Sequence, residues 1–487
     1  MMQGENMNRK RRTFALVVLL CGAFMDILDT MIINIAIPSI QSGLQASSAA
    51  AQWTANAYIL GLALFIITGG RLGDILGRKK MFMLGIAGFT IASVFSGLAA
   101  TIDVLIFARA IQGIMAAMMV PQVLSYIQVL FAPQERAGAL GAYGGISGFA
   151  TVAGPLLAAF LIKMNLFQLG WRTIFLINIP IGVFLFIAAA IVLAESKSLN
   201  PLRVDIPGTL MAMAMLIMLL YPLIQGNSLG WPVWTYILMV ASLLVGILFI
   251  VYEKHRMKRN QSPLIALNLF QFKSFIGGVS VFTLFLIAMS GYFFVFTFYL
   301  QMGLHFTPLH AALAALPFSF MVPAMAGFSV TKLAPRHGRK VVVLGLILCA
   351  LGLAGVEFVM RGAGTSLSNW QLLPVLLIGG AGMGMVVAPL TDFSISQVPQ
   401  QDAGSASGIL NMMQQVGSSI GIAGLGTIFF NSMGSSFTRA CEISGFTMGV
   451  RYAIWSAVGI LIVTIPFVSL LPPKIHQHNL PTQKHKI

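Results

Sequence analysis

Charged side chains are scarce in this sequence. Asp, Glu, Lys and Arg make up 9% of its 487 residues, whereas hydrophobic residues make up 57%. A soluble domain carries about 25% charged residues. The composition therefore excludes an ordinary soluble domain and indicates a chain that crosses a lipid bilayer many times.

Cysteine is scarce as well. The three cysteines, Cys21, Cys349 and Cys441, lie far apart and fit neither a disulfide framework nor the ligand spacing of a metal site. The sequence also lacks a nucleotide-binding loop and any spacing typical of a catalytic triad. We therefore expect a protein that is neither an enzyme nor an ATP-driven pump, with no metal and no organic cofactor.

Acidic residues are the third group in short supply. The 13 Asp and Glu residues stand against 29 Lys and Arg, which gives a net charge of +16. Such a basic balance is typical of nucleic-acid-binding proteins. Most of these basic residues, however, lie in short segments between apolar runs, the placement that orients a membrane protein. We expect the lipid bilayer, and no nucleic acid, as a partner.

Apolar runs of about 20 residues recur along the chain, and each is long enough to cross a bilayer as a helix. Helix is the expected structure because backbone N–H and C=O groups find no other partners in hydrocarbon. The pattern predicts an all-α membrane protein with fourteen transmembrane helices, at residues 14–37, 53–70, 81–100, 104–130, 138–162, 172–193, 206–225, 233–252, 274–300, 308–331, 341–360, 370–390, 404–430 and 450–471.

The basic residues indicate the orientation of this bundle. Clusters occur at residues 9–12, 71–80, 254–259 and 332–340, and an even number of spans places all of them on one side. Because basic loops remain in the cytoplasm, both termini are predicted to be cytosolic.

Residues 70–80 and 331–340 form a weak internal repeat, with matching leucine, glycine, arginine and lysine positions. Two related six-helix bundles with a helix pair inserted between them would explain it, an organisation used by many secondary transporters. The predicted division is a cytosolic tail at 1–13, an N-terminal six-helix bundle at 14–195, an inserted helix pair with a basic cytosolic loop at 196–273, a C-terminal six-helix bundle at 274–471 and a cytosolic tail at 472–487.

Two acids stand in the middle of the first apolar run. Asp26 and Asp29 are three residues apart, which places them on one face of a helix. A carboxylate at bilayer depth costs a few kcal/mol or more, so such a residue is a candidate functional group. We predict that Asp29 is the main proton carrier, with Asp26 as a second acid or as the partner of a cationic substrate.

A single arginine, Arg109, stands inside the fourth apolar run on the same helix face as Gln112. A guanidinium at this depth needs a partner or a hydrated cavity. We predict that it pairs with Asp26 or Asp29, directly or through water. The alternative is an arginine that extends its side chain to one membrane interface.

The segment 70–80 combines glycines with charges of both signs. The glycines allow a tight turn, and Asp74 can pair with Arg78 four residues on. We predict that this segment holds the inner gate shut when the protein faces outward, through Gly70, Arg71, Asp74, Gly77, Arg78 and Lys79. The alternative is a basic loop that only sets the orientation.

Small residues form a stripe along the fifth apolar run. Such a stripe lets neighbouring helices approach closely, and a proline adds a kink. Its members are Gly141, Gly145, Gly148, Pro155 and Ala159, and a further glycine, Gly154, stands directly before the proline. Ordinary packing between helices is the alternative explanation.

These segments resemble those of one family. Residues 70–80 resemble the loop signature of the major facilitator superfamily, and the stripe at 141–155 resembles the antiporter signature of drug:proton antiporters. Residues 28–38, 170–182 and 403–417 resemble the branch with fourteen spans, which exports multiple drugs and quaternary ammonium compounds. The resemblance extends from about residue 14 to 471.

The resemblance implies the major facilitator fold, two six-helix bundles plus two inserted helices. It also implies a role for Arg109 in proton transfer, protons as the coupling ion, and a bacterial cytoplasmic (inner) membrane. A stripe of small and polar residues in the thirteenth run, together with aromatic residues elsewhere, suggests the walls of a substrate cavity. The predicted cavity residues are Asp26, Asn34, Tyr58, Gln112, Phe149, Tyr292, Phe296, Asn411 and Gln415.

We therefore expect a proton-coupled multidrug efflux antiporter that confers drug resistance. It would export small lipophilic, cationic compounds by alternating access, as a monomer. One alternative is a proton-coupled exporter of a neutral or anionic compound, such as another antibiotic or a metabolite. A second alternative, from a different class, is a membrane scaffold that transports nothing.

Overall fold

The structure is a computed structural model that describes residues 9–131, 133–198, 204–226, 228–259, 263–265, 267–363, 367–398, 403–432 and 439–473. Within these ranges the chain consists of helices joined by short turns and contains no strand. Of the two predicted tails, residues 1–8 and 474–487 lie outside the described residues.

Fourteen long helices follow one another along the described chain. The first seven are α1 Arg9–Gly43, α2 Ser48–Leu76, α3 Arg78–Gly97, α4 Ile102–Leu130, α5 Pro133–Met164, α6 Gly170–Val192 and α7 Ile206–Gln225. The other seven are α8 Val233–Lys258, α9 Lys273–Phe298, α10 Pro308–Phe328, α11 Lys340–Ala363, α12 Asn369–Ile395, α13 Ala403–Ser432 and α14 Arg439–Thr464.

Thirteen of the described helices are long and apolar enough to cross a membrane. The helix α13 is the fourteenth. It is less apolar because Asn411, Gln414 and Gln415 interrupt its sequence, yet it packs along α9, α2 and α14 as a full-length helix. The predicted all-α, multi-pass architecture is confirmed.

Several helices extend past the predicted edges. The first apolar run predicts a span at 14–37, whereas α1 reaches from Arg9 to Gly43. The helix α2 begins at Ser48 because the Ser47 hydroxyl caps it and accepts a hydrogen bond from the N–H of Ala50 at 3.2 Å. Apolarity marks the part of a helix that lies in hydrocarbon, while caps and hydrogen bonds set where the helix ends.

The helices pack as two groups. In the first, α2 contacts α4, α3 contacts α4 and α6, and α1 contacts α5; in the second, α9 packs on α13 and α14, and α12 packs on α10 and α11. The groups meet where α2 contacts α13 and where α5 contacts α10. The inserted helices α7 and α8 pack on each other, and α7 also contacts α2 and α13.

Two glycines let α2 and α4 touch through their backbones. A Cβ on Gly61 would lie 2.6 Å from the carbonyl oxygen of Ala110, and a Cβ on Gly113 would overlap the carbonyl of Tyr58. Any larger side chain would push the helices apart. This close approach places Tyr58 of α2 and Arg109 of α4 against α1, which carries the two aspartates.

One end of the bundle carries most of the basic residues, and we call it the basic end. It holds the start of α1, the turn between α2 and α3, the end of α8 and the start of α11, with Arg12, Arg78, Arg256 and Arg339. The opposite end is called the far end.

Charged groups attach the inserted helices to the first group at the basic end. Asp205 caps α7 by accepting a hydrogen bond from the N–H of Gly208 at 3.0 Å, and it pairs with Arg256 of α8 at 3.2 Å. We call residues 263–265 the strap. Its N–H groups bond to Asp205 and Glu253, both at 3.2 Å, and its carbonyls accept hydrogen bonds from Arg71 of α2.

Candidate transport site

A cavity of about 1000 Å³ lies between the two groups of helices. Its walls come from α1, α2, α4 and α5 on one side and from α9, α10, α12 and α13 on the other. The cavity runs from Asp26 and Tyr58, at mid-depth, to Arg71, Asp74 and Arg136 at the basic end. A space of this size fits a drug-sized molecule.

The cavity is open towards the basic end. Its lining residues there, Arg71, Asp74 and Arg136, are partly exposed. At the far end the two groups are in contact instead, because the amide of Gln301, in the helical turn that follows α9, donates a hydrogen bond to the Ile35 carbonyl of α1 at 2.9 Å. In the described part of the chain, the cavity thus reaches the surface at the basic end, while the two groups are in contact at the far end.

Asp26 lines the cavity wall and is 7% exposed. Its carboxylate accepts a hydrogen bond from the hydroxyl of Tyr58. The Tyr58 ring packs edge-on against Phe89 with 6.3 Å between ring centroids, and the Arg109 guanidinium lies 4.3 Å from the Tyr58 centroid. Tyr58 thus touches both the cavity acid and the buried arginine.

Asp29 is separated from the cavity and forms a buried ion pair with Arg109. Asp29 is 3% exposed and Arg109 is 0% exposed. Arg109 also donates to the side-chain oxygen of Gln112 at 2.9 Å and to the Thr54 carbonyl at 3.4 Å. The arginine therefore does not reach a membrane interface, and the alternative of an extended surface arginine is wrong.

The carboxylate of Asp29 has further hydrogen-bond donors. Its Oδ1 accepts from the amide of Gln112 at 2.9 Å and from the amide of Asn178 at 3.1 Å. Both amides also donate to the Ser93 hydroxyl, at 3.1 Å and 2.9 Å. The site thus joins residues of α1, α3, α4 and α6.

The two acids do not face the same space, although they lie on neighbouring positions of one helix. Asp26 contributes to the cavity wall, whereas Asp29 points between α4 and α6. Three residues of helix leave a rotation of about 60° between the side chains, which is enough to place one in the wall and the other behind it. Their predicted roles in proton transport stay predictions.

The predicted gate residues cluster at the turn between α2 and α3. Arg78 bonds to Asp74 at 2.8 Å, and its N–H donates to the Ser196 carbonyl at 2.9 Å. The N–H of Lys79 donates to Glu195 at 3.1 Å. These contacts all lie within the first group and the segment that leads to α7.

The three other gate residues lie in the turn or line the cavity. Gly77 has φ of 121°, a conformation that favours glycine, and a Cβ there would lie 2.5 Å from the Glu195 carboxylate. Gly70 and Arg71 line the cavity at the basic end. A gating role concerns the state in which the basic end is closed, so it stays a prediction.

The small-residue stripe of α5 faces helices of both groups. Gly154 packs on α1, where an added Cβ would lie 2.7 Å from the Cβ of Met31. Gly148 packs on α10, where an added Cβ would lie 3.1 Å from the Cβ of Pro323. Pro155 lines the cavity, while Gly141 and Gly145 face open space. The helix α5 therefore packs on α1 of its own group and on α10 of the other group.

The structure places only some of the predicted cavity residues in the cavity wall. Six of them line the cavity, namely Asp26, Asn34, Tyr58, Phe296, Asn411 and Gln415. Three predicted members, Gln112, Phe149 and Tyr292, do not, and those assignments are wrong.

Each of the three has a physical reason for its position. Gln112 turns away to bind Asp29 and Ser93. Phe149 is 60% exposed on the outer face of α5 and stacks on Phe24 at 6.0 Å. Tyr292 is buried against its neighbour Phe296, at 5.4 Å between ring centroids.

Other functional residues were absent from the predicted set. Cavity-lining residues of this kind are Ser290, Phe293, Phe318, Gln414 and Ser418. Gln414 lies next to the predicted Gln415 and shares its signal. Ser93 and Asn178 contact the site around Asp29, yet as small neutral residues in apolar runs they carry no comparable signal.

The family model of the Major Facilitator Superfamily matches this chain over residues 19–208 and 206–422. The sequence is 38% identical over 432 residues to a Streptomyces coelicolor protein named "Probable actinorhodin transporter", covering 89% of this chain and 75% of that protein. It is 31% identical over 464 residues to a puromycin resistance protein of Streptomyces alboniger, covering 93% and 90%.

A further relative and a solved structure also match this chain. The "Multidrug resistance protein Stp" of Mycobacterium tuberculosis is 32% identical over 413 residues, covering 84% of this chain and 74% of that protein. A solved bacterial homologue of the human lysosomal transporter Spinster, in an inward-facing conformation, has a TM-score of 0.67 at 15% identity, covering 95% of this chain and 97% of that one.

The solved structure supports the fold, and the predicted fold class of two six-helix bundles with an inserted helix pair is confirmed. The family match covers most of the chain, which confirms the family predicted from its motifs and excludes an enzyme. The chain belongs to the major facilitator superfamily and is a membrane transporter.

Proposed function

We propose that this transporter exports lipophilic, antibiotic-like compounds in exchange for protons. The observation that carries the proposal is the pairing of a cavity acid, Asp26, with a second acid, Asp29, that is buried against an arginine. Intramembrane ionisable groups of this kind are the usual relays of proton-coupled transporters. The names of the relatives, which include antibiotic transporters and resistance proteins, support an antibiotic as cargo.

The orientation follows from charge. Basic loops remain on the cytoplasmic side, so we propose that the basic end and both termini lie in the cytosol of a bacterium, with the protein in its cytoplasmic membrane. The cavity then faces the cytosol, which is the state that loads cargo for export. The cavity and its polar site lie within one chain, so we propose the monomer as the working unit.

A continuous set of contacts links the two acids. The Tyr58 hydroxyl bonds to Asp26, the Tyr58 ring lies against Arg109, and Arg109 pairs with Asp29. A charge change at Asp26, through cargo or a proton, therefore acts on the position of Tyr58 and through it on Arg109. In our proposal this coupling makes proton binding and cargo binding exclude each other.

The alternation between states uses the contacts between the two groups of helices. The helices α2 and α13, and α5 and α10, meet along small residues such as Gly148. Rocking of one group against the other about such contacts is the usual motion of these transporters. Protonation from the far side would then release the cargo outside.

The cargo is either a cation or a neutral or anionic compound. Asp26 has no cationic side chain bonded to it in the described structure, so it keeps the capacity to attract a lipophilic cation, our first candidate. The entrance is lined by Arg71, Arg78 and Arg136, which favours a neutral or anionic compound. Membership of a transporter family argues against the third alternative, a scaffold that transports nothing.

Proteoliposomes with an imposed proton gradient test the proposal. Uptake of ethidium, a cationic dye, is compared with that of Nile red, a neutral dye, in the parent protein and in Asp26→Asn and Asp29→Asn. We expect gradient-driven transport in the parent and none in Asp29→Asn. Normal transport by Asp29→Asn would refute the proton role, and loss of ethidium but not Nile red transport in Asp26→Asn would identify Asp26 as the cation partner.

A further inference from the structure

Four buried side chains form a closed ring of hydrogen bonds, and the acid of the ion pair is one of them. Asp29 and Ser93 lie on opposite sides, and the amides of Gln112 and Asn178 bridge them with bonds of 2.9 to 3.1 Å. Each amide nitrogen has two hydrogens, so each can donate one to the Asp29 carboxylate and the other to the Ser93 hydroxyl. The ring brings together α1, α3, α4 and α6.

Ser93 fixes the orientation of the two amide groups. Its oxygen accepts from both, which fixes their N–H groups towards Asp29 and their oxygens away from it. We propose that Ser93 and Asn178 are positioning residues that hold Asp29 as an ionised hydrogen-bond acceptor in this state and thereby set the pH at which it takes up its proton. This inference rests on the proposed function, in which Asp29 is the proton carrier.

Protonation changes what the ring must provide. A protonated Asp29 becomes a donor and needs an acceptor. The Gln112 oxygen already accepts from Arg109 at 2.9 Å, and the Ser93 oxygen already accepts two hydrogen bonds. The Asn178 oxygen is buried without a hydrogen-bond partner in the described part of the chain. A turn of this amide would offer that oxygen to the protonated acid, so Asn178 serves both protonation states.

The charges around Asp29 come from few residues. Arg109 faces it from α4, Tyr58 from α2, and Asp26 from the same helix; Tyr143 of α5 faces Asp26. From α3 and α6 only neutral side chains reach the carboxylate, and the described residues of α9 and α10 add no acidic or basic side chain to the cavity wall. Changes at the two positioning residues therefore alter hydrogen bonding without changing the net charge of the site.

Titration of the Asp29 carboxyl in purified protein without cargo tests the inference. Infrared difference spectroscopy follows the C=O band of protonated carboxyl groups against pH, and the part missing in Asp29→Asn belongs to Asp29. We expect Asn178→Ala to move the midpoint of that band upward by about one pH unit, the effect of one lost hydrogen bond to a charged group. Ser93→Ala should move it in the same direction.

Ser96→Ala is the matched control. Ser96 lies one turn further along α3, and it is buried with a hydroxyl that bonds to no described residue. Its loss should leave the midpoint unchanged. Equal midpoints in the parent, Ser93→Ala and Asn178→Ala would overturn the positioning role. If Asn178→Ala does not fold, Asn178→Ser, which is too short to bridge, takes its place with the same expected shift.

Different results would contradict the proposed function and the inference about Ser93 and Asn178. Asp29→Asn with normal proton-driven transport, or without loss of any carboxyl band, contradicts Asp29 as carrier and thus the proposed function. Loss of transport in Asp29→Asn together with unshifted midpoints in the ring variants contradicts only the inference about Ser93 and Asn178.

Discussion

The replacement of Asp29 by asparagine leaves the buried guanidinium of Arg109 without its counter-charge. Removal of one partner from a buried ion pair costs about 3–5 kcal/mol of folding free energy. Part of this loss is offset, because Arg109 keeps the Gln112 oxygen at 2.9 Å, the Thr54 carbonyl at 3.4 Å and the Tyr58 ring at 4.3 Å. We therefore expect the lower end of the range, about 3 kcal/mol.

A second variant separates charge from packing. In the double variant Asp29→Asn with Arg109→Gln, both charges are absent. Replacement of a buried ion pair by well-packed hydrophobic residues of similar volume is often close to neutral for stability, and a pair of neutral amides likewise leaves no uncompensated charge. We expect the double variant to regain at least about 2 kcal/mol of the loss, while proton-driven transport stays absent in both variants because no titrating group occupies position 29.

Unfolding of the purified proteins in mixed detergent micelles, followed by circular dichroism, measures these differences. Asp103→Asn is the matched control, since Asp103 lies in the first turn of α4 and is exposed. A surface change of this kind should stay within about 0.5 kcal/mol. A double variant as unstable as Asp29→Asn would refute the reasoning, because the loss would then come from packing of the amide and not from the uncompensated arginine.

Three further changes test other parts of the structure. Tyr58→Phe keeps the ring but removes the donor to Asp26, so proton binding there becomes easier and the pH profile of transport should move upward by about one unit; an unchanged profile contradicts this. Gly77→Ala places a Cβ 2.5 Å from the Glu195 carboxylate at φ of 121°. The free energy of unfolding should therefore fall by about 1–3 kcal/mol, measured as a lower thermal midpoint; an unchanged midpoint would show that the turn adapts. Asp205→Ala removes the α7 cap and an acceptor of the strap, and limited proteolysis should cut residues 204–265 faster than in the parent; equal rates would show that the strap is held by other contacts.

The fold was largely predictable because hydrocarbon leaves few options. Runs of apolar residues must be helices in a bilayer, so their number, order and approximate position follow from composition. The helix ends were less predictable. Ser47 caps α2 six residues before the apolar run at 53–70 begins, and a cap depends on one side chain rather than on the character of a long segment.

The ion pair of the site was predictable for an energetic reason. A charge in hydrocarbon is so unfavourable that Asp29 and Arg109 had to find partners, and few charges were present for them to choose. Ser93 and Asn178 have no such requirement, because a neutral polar side chain is tolerated in many membrane helices. Their importance follows only from which side chains the helix packing places next to them.

The misassigned cavity residues show the same limit. Phe149 and Tyr292 lie on helices that are apolar all round, so no periodicity indicates which face meets the cavity and which meets lipid or a neighbouring helix. On α13, by contrast, Asn411 and Gln415 are polar within apolar sequence and both line the cavity. Polar residues thus indicate the cavity face of α13, whereas the polar Gln112 of α4 turns instead to the buried Asp29.

The positions of the two acids imply different steps of transport for each. Asp26 is in the cavity wall, so a compound that enters from the basic end can reach Asp26 but not Asp29, which does not line the cavity. Asp29 is enclosed by Arg109, Gln112 and Asn178. In the proposed exchange, proton binding at Asp29 therefore belongs to a different state from cargo loading in the cavity, which is the separation that an exchange of cargo for protons requires.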